Sequence, residues 1–382
     1  MSQKFFRLVP DNPNIPFMKY GNVFFIIGIL ITLTSLSFLF TKGLNYGVDF
    51  RGGTEVFVRF PGNPAANDIR ETLAAIGYTE AGVQSYGDVN KGEYLIRVES
   101  EDLKLKSYQA NFQTALDSLA SKDQPALVRY SEDRLYVIYD KPVDPEQIKT
   151  ALAKVQDQKI QIDHISKFGR ASVNEYIVQF SGAGNRIVNA LKEKFGETKV
   201  EVLQIEEVGQ KVGGELRQQA LGAVLISMLL LLVYIWFRFD FEFAPGAILA
   251  LVHDTSVILG VFALFQLPFD LASIAAVLTV VGYSINDTIV TYDRARENMK
   301  KFHGKSFEDI INFSINETLG RTILTSITVL MATGTLYYLG GPITENFALA
   351  LCVGVICGVY STMCVASPVT IYIRRYMMKK AA

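Results

Sequence analysis

The chain is poor in cysteine and histidine, with three of each in 382 residues. All three cysteines, Cys352, Cys357 and Cys364, fall in one apolar segment near the C-terminus. There they read as small packing residues rather than disulfide or metal partners, and they carry no information about redox compartment. His164 has no cysteine or second histidine near it in the sequence, and no zinc-type spacing occurs. A phosphate-cradling glycine loop and a nucleophile elbow are also missing. These absences speak against ATP-driven transport by this chain alone and against an enzyme, and no cofactor or metal is expected. With a net charge of -1, the chain lacks the basic excess of a nucleic-acid partner, and its composition is not that of a disordered protein.

What is abundant is apolar sequence, at 49% of residues. Long apolar segments occur near 20–40, 217–237, 244–265, 271–292, 322–339 and 346–373. Each is about as long as a helix needs to cross a bilayer at roughly 1.5 Å per residue. The first, "VFFIIGILITLTSLSFLF", is long and no small-x-small cleavage pattern precedes the charged stretch after it, so it reads as a retained anchor. Lys4, Arg7 and Lys19 precede span one; Arg294, Arg296, Lys300, Lys301 and Lys305 follow span four; Arg374, Arg375, Lys379 and Lys380 close the chain. The loops "QLPFD" (266–270) and "GGPITE" (340–345) contain no Lys or Arg. The positive-inside rule therefore predicts cytoplasmic termini (1–19 and 374–382) in a multi-pass membrane protein, and an extracytoplasmic domain over 41–214. The remaining five spans form a bundle over 215–373, with a cytoplasmic loop at 293–321. In the stretch 301–320, Phe307, Ile310, Ile311, Ile315 and Leu319 share one helical face and predict a helix lying on the membrane surface.

The extracytoplasmic region repeats itself. "TEVFVRF" (54–60), "NDIRETLAAIGY" (67–78), "AGVQSYGD" (81–88) and "EYLIRVES" (93–100) are echoed by "RLYVIYD" (134–140), "PEQIKTALAKVQ" (145–156), "KIQIDHISKFG" (159–169) and "EYIVQFSG" (175–182). Alternating and β-branched runs predict strands; Ile69, Leu73 and Ile76, or Ile148, Leu152 and Val155, predict one helix face each. With a second helix (about 104–120 and 185–196) and a last strand (126–130 and 199–206), each copy spells βαββαβ. The expectation is two consecutive ferredoxin-like α+β units, repeat 1 over about 54–130 and repeat 2 over about 134–206. Unpaired strand edges in such units can hold an extended peptide through main-chain hydrogen bonds.

Inside the spans, polar residues stand out. Ser284, Asp287 and Thr291 recur at helical spacing in span four, with Tyr283 and Asn286 beside them. Arg321, Thr325 and Thr328 do the same in span five. A carboxylate at bilayer depth costs about 2.5–3.5 kcal/mol on insertion scales, so Asp287 needs a reason to be there. Two are open: it bonds across a helix interface, which stabilises bundles by only about 0.6 kcal/mol on average, or it loads and unloads a proton as Arg321 approaches and withdraws. Arg321 is either that partner or a topology signal. His253 and Asp254 in span three either extend a proton path or satisfy each other. Gly354 and Gly358 form a small-xxx-small pair in span six.

"GLNYGVDFRGGTE" (43–55), "EEVGQKVGGELRQQA" (206–220), "ALVHDTSVILG" (250–260), "VGYSINDTIVTYDRAREN" (281–298) and "LGRTILTSIT" (319–328) resemble, in order and spacing, the successive motifs of the bacterial SecD/SecF family, on its SecF side. The resemblance implies a six-span subunit that pairs with SecD. It would work beside the SecYEG channel and the SecA motor, and use the proton-motive force to help unfolded preprotein leave the channel. It also implies that Asp287 and Arg321 are associated with proton transport, with Asn286, Ser284 and Thr325 around them. The chain departs from the family pattern at Arg51, where the pattern has Thr, at Gln210, where it has Pro, and in a doubled external domain. Two other functions compete: a proton-coupled exporter of lipids or small molecules from the wider resistance-nodulation-division superfamily, and a passive scaffold for which Asp287 is dispensable.

Overall fold

The computed structural model describes residues 13–85, 92–99, 108–121, 124–131, 134–155, 162–168 and 174–381. Lys4 and Arg7, the first residues of the helix expected from 104, and parts of the stretches at 81–88 and 159–169 lie outside them. The chain divides into two compact units, one of residues up to Gly47 with Arg217–Ala382, the other Val48–Leu216.

In the first unit, six helices are long and apolar enough to cross a membrane. A 3-10 turn, Met18–Tyr20, leads into α1 (Gly21–Lys42) and a two-residue strand β1 (Asn45–Tyr46). The second half of the chain then supplies α7 (Gln210–Arg238), α8 (Ala244–Phe265), α9 (Leu271–Lys301), α10 (Phe307–Leu339), α11 (Pro342–Ser361) and α12 (Ser367–Ala381). The last two helices are joined without a break by a π-helical turn, Thr362–Ala366, so they make one span. β10 (Pro268–Phe269), in the α8–α9 connection, pairs in parallel with β1. At the start of α9 a capping box, Asp270 with Ser273, satisfies the first free amide groups.

The expected surface helix is not separate. α9 continues to Lys301 and α10 begins at Phe307, so the anticipated 293–321 loop shrinks to 302–306. Gly304 takes φ +95° in the turn, and the Ser306 side chain caps α10 by accepting from the Asp309 amide. The apolar stripe that suggested a lipid surface is instead buried in protein. Ile311, Ile315 and Leu319 share a core with Tyr292 and Ala295 of α9 and with Met18.

The second unit holds a one-turn helix α2 (Val48–Arg51) and two four-stranded antiparallel sheets, each with a helical pair packed into one core. The first sheet contains β2 (Gly53–Arg59), β3 (Gly82–Ser85), β4 (Glu93–Val98) and β9 (Glu201–Val208), in the order β3-β4-β2-β9. Its helices are α3 (Ala66–Ala75) and α6 (Ala183–Phe195); Ile69 and Leu73 meet Ile187 and Leu191 in a core with Val56, Val58 and Ile96. The second sheet contains β5 (Leu127–Tyr130), β6 (Arg134–Tyr139), β7 (Ile162–Phe168) and β8 (Asn174–Phe180), in the order β5-β6-β8-β7. Its core joins Phe112 and Leu116 of α4 (Gln109–Asp117) and Ile148 and Leu152 of α5 (Pro145–Leu152) to Leu135, Val137 and Val178.

The repeat is present, but its copies are interleaved. β2-α3-β3-β4 and β6-α5-β7-β8 correspond element by element, as the sequence pattern predicts. The helix-strand pair after each copy completes the other sheet: α4 and β5 join β6, while α6 and β9 join β2. Residues 53–98 and 183–208 therefore make one ferredoxin-like fold. A circularly permuted version, 109–180, is inserted within it, where consecutive repeats over 54–130 and 134–206 were expected. Periodicities of 2 and 3.6 residues report which face of an element is buried, not which neighbour buries it. What fixes the partner of β5 is the short connection to β6, because strands joined by a tight turn become antiparallel neighbours.

Candidate functional site

The polar residues of the spans gather where α8, α9 and the last span meet. Close approach there is allowed by Gly354 and Gly358 of α11: a side chain on the first would collide with Val280 of α9, and one on the second would press on Ser284. The small-xxx-small pair thus sets the distance between α9 and α11.

Asp254 of α8 is completely buried and sits at the centre. Its Oδ2 accepts hydrogen bonds from Ser284 Oγ of α9 (2.5 Å) and Ser361 Oγ of α11 (2.8 Å), and its Oδ1 lies 2.9 Å from His253 Nδ1. Three partners from three helices therefore converge on one carboxylate. His253 is only 3% exposed, its ring lies 5.7 Å from that of Tyr360, and its Nε2 has no partner among the described residues. Tyr360 in turn donates to the Phe24 carbonyl of α1 at 2.6 Å.

One turn further along α9 from Ser284, Asp287 is 5% exposed and its Oδ2 has no hydrogen-bond partner among the described residues. Hydroxyl contacts surround it on α9: Thr288 Oγ1 lies 2.9 Å from Thr362 Oγ1, and Thr291 Oγ1 lies 3.4 Å from Thr318 Oγ1 of α10. An unbonded carboxylate oxygen in a buried polar environment is expensive, and in a membrane bundle such residues mark ion or proton pathways.

Span five is arranged differently from the sequence expectation. Arg321 and Thr325 are exposed on α10, and no ion pair or hydrogen bond joins Arg321 to Asp287 among the described residues. Thr325 Oγ1 bonds back to the carbonyls of Arg321 and Thr322, both at 3.0 Å. Asn286 is likewise exposed on α9. Of the expected set, the structure brings His253, Asp254 and Ser284 into one network, places Asp287 one turn away, and leaves Asn286, Arg321 and Thr325 on outward faces. Sequence reasoning missed Ser361, Thr288 and Thr362. Their signal was available, as hydroxyls inside apolar spans, but nothing in the sequence says that they face α8 and α9.

Where the helices end, charges are paired. Asp293, Arg294 and Arg296 near the end of α9 meet Arg238, Glu317 and Asp240 respectively, and Arg374 and Arg375 of α12 meet Glu242 and Glu308. Burial pushes the Glu242 carboxyl up, and the Arg374 guanidinium 3.1 Å away opposes that shift. At the same end Asn316 holds the backbone of Ile15 from both sides, accepting from its amide and donating to its carbonyl, each at 2.9 Å; Asn312 adds bonds to Ile15 and Met18. Among the described residues no three His, Cys, Asp or Glu side chains form a group able to hold a metal.

Two family models match this chain: "Protein export membrane protein SecD/SecF, C-terminal" over residues 187–376 and "SecD/SecF GG Motif" over residues 37–60. Among curated proteins, the protein translocase subunit SecF of Koribacter versatilis is 35% identical over 364 residues, covering 93% of this chain and 89% of its own. The SecF of Pseudomonas aeruginosa is 32% identical over 359 residues, covering 94% and 91%. Among solved structures, SecDF from Thermus thermophilus, a translocon-associated membrane protein, superposes with a TM-score of 0.62 at 28% identity. That match covers 95% of this chain but 39% of the SecDF chain, so the present chain spans well under half of that protein. On the near full-length identity to translocase subunits and on the shared fold, the chain belongs to the SecF family of the SecD/SecF protein-export membrane proteins.

Proposed function

We propose that this chain is an auxiliary, non-enzymatic subunit of the Sec protein export machinery, acting with a SecD partner to draw on the proton-motive force for preprotein translocation. The single observation that carries the coupling part is Asp287: a buried carboxylate with an unbonded oxygen, one turn from a three-helix polar network. Such a group can take a proton from one side of the membrane and return it to the other if its helix moves.

Family membership disfavours the small-molecule exporter reading. The chain sits in the cytoplasmic membrane with both termini in the cytoplasm, a placement supported by the Lys and Arg count beside the spans. The exposed Arg321 of α10, with Thr325 and Thr328 along the same face, carries a charge that lipid penalises, and the SecD helices cover it. Protonation of Asp287 removes its charge and lets α9 and α10 repack against that partner. The change reaches the extracytoplasmic unit along α1 and α7, its two covalent connections to the bundle. There the α+β sheets act on unfolded preprotein leaving the SecYEG channel after SecA has driven it in. Arg321 serves in this cycle as the charge that Asp287 meets when the faces close.

Late-stage translocation of a secreted preprotein tests this, in vesicles holding the channel and the partner subunit, with the proton gradient present or collapsed. Asp287→Asn should abolish the gradient-dependent component while the subunits still assemble. Retention of that component would make Asp287 a packing residue and leave only the scaffold role.

A further inference from the structure

Asp254 holds Ser284 and Ser361 through the same carboxylate oxygen, at 2.5 and 2.8 Å. Ser284 lies three residues before Asp287, on the same face of α9, and Thr288 immediately follows Asp287. Thr288 is bonded to Thr362, the residue after Ser361. Asp287 is thus bracketed on its own helix by two hydroxyls linked to consecutive residues of the last span, Ser284 to Ser361 through Asp254 and Thr288 to Thr362 directly. At that point the last span is not α-helical: Thr362–Ala366 is a π-helical turn, closed by a bond from Ser367 Oγ to the Thr362 carbonyl at 2.9 Å. A π turn inserts one residue into the helical register and occurs at functional sites, because it can be gained or lost with a small local rearrangement.

We infer that Asp254 is a positioning residue for Asp287: by clamping Ser284 and Ser361 beside the π turn, it fixes the rotation of α9 about its axis and so the direction in which the Asp287 carboxylate points. This rests on reading Asp287 as the proton carrier, but the geometric claim stands or falls separately. Three features set Asp254 apart from a packing residue. Among the described residues it is the one side chain whose hydrogen bonds join α8, α9 and α11. Its bonds to Ser284 and Ser361 share an oxygen, so the two helices are held relative to each other and not only to α8. Both oxygens of the buried carboxyl group are engaged, Oδ2 by the two serines and Oδ1 by His253, whereas an amide has a single oxygen and cannot keep the whole arrangement.

The test reads rotation directly. In a background with Cys352, Cys357 and Cys364 replaced by serine or alanine, single cysteines are placed at Ile285, which is buried, and Asn286, which is exposed. Their rates of maleimide labelling are compared in the full chain assembled with its partner subunit. With Asp254 intact, Asn286→Cys reacts far faster than Ile285→Cys. Asp254→Asn should lower the ratio of the two rates by about threefold or more, with opposite changes at the two sites, and Ser361→Ala should do so in the same direction, as expected for losing one or two membrane hydrogen bonds. General loosening would raise both rates together, and an unchanged ratio would leave α9 where it was; either result overturns the inference. Ser361→Ala removes only a hydroxyl, so it answers even if Asp254→Asn fails to assemble. If Asp287→Asn abolishes coupling while the ratio ignores Asp254, the proton reading survives and the positioning role does not. If the ratio shifts while Asp287→Asn is silent, the reverse holds.

Discussion

Helices α7 and α10 are both largely exposed, yet the middle of each presents different chemistry outward. α7 exposes Leu225, Ile226, Leu229, Leu230 and Trp236, which is what lipid-facing helices show. α10 exposes Arg321, Thr325 and Thr328 at helical spacing, beside Leu324 and before the apolar Met331, Tyr338 and Leu339. Since the bilayer supports the first face and penalises the second, equal exposure does not mean equal surroundings. The polar face of α10 suits a protein neighbour better than lipid, and the apolar face of α7 suits lipid.

The comparison breaks most sharply at Arg321. Arg321→Leu gives α10 a face like that of α7. Gradient-dependent translocation should then fall to background, while Leu229→Ala on α7 leaves it within about twofold, because only the first removes an intramembrane charge. Translocation in the vesicles described above, with and without the gradient, decides it. If both variants behave alike, the two faces are equivalent and the distinction fails. A smaller effect is expected from Thr328→Leu, which keeps Arg321 but makes a position two turns along the same face apolar. Co-purification with the partner subunit in mild detergent should weaken by about 1 kcal/mol, or roughly fivefold, the upper range for interhelical polar contacts in membranes. The smallest effect should come from Arg238→Ala at the end of α7. Its ion pair with Asp293 is about one-third exposed on both sides (35% and 38%), so the loss should stay below about 1 kcal/mol in thermal unfolding of the purified chain. A larger loss would mean that α7 is held by the bundle and not merely bordered by lipid.

How much of this was legible beforehand follows the range of each interaction. Span positions could be read because bilayer thickness imposes a length on every one of them. The polar faces of α9 and α10 could be read because helical spacing is local. Ser284 and Asp254 meeting across two helices could not, since 30 residues of sequence separation say nothing about azimuth; nor could Ser361, two spans further on. Phe307 to Leu319 had the amphipathic pattern of a surface helix, but the pattern does not distinguish lipid from α9 as the apolar neighbour. The repeat in the external unit was visible for the same reason that its strand exchange was not: like strands look alike whichever sheet they enter.

That exchange dictates an order of events as the chain is made. When β4 has emerged, the first sheet still lacks α6 and β9, and these arrive only after the whole inserted module, up to Phe180, has been synthesised. A third of its hydrophobic core, Ile187 and Leu191 included, is missing until then. The module in the middle has all of its own strands by Phe180, so it closes first and the enclosing sheet closes around it afterwards. The enclosing frame, the part nearest the membrane helices in sequence, is the last to become complete, and whatever delays the insert delays the ground on which it stands.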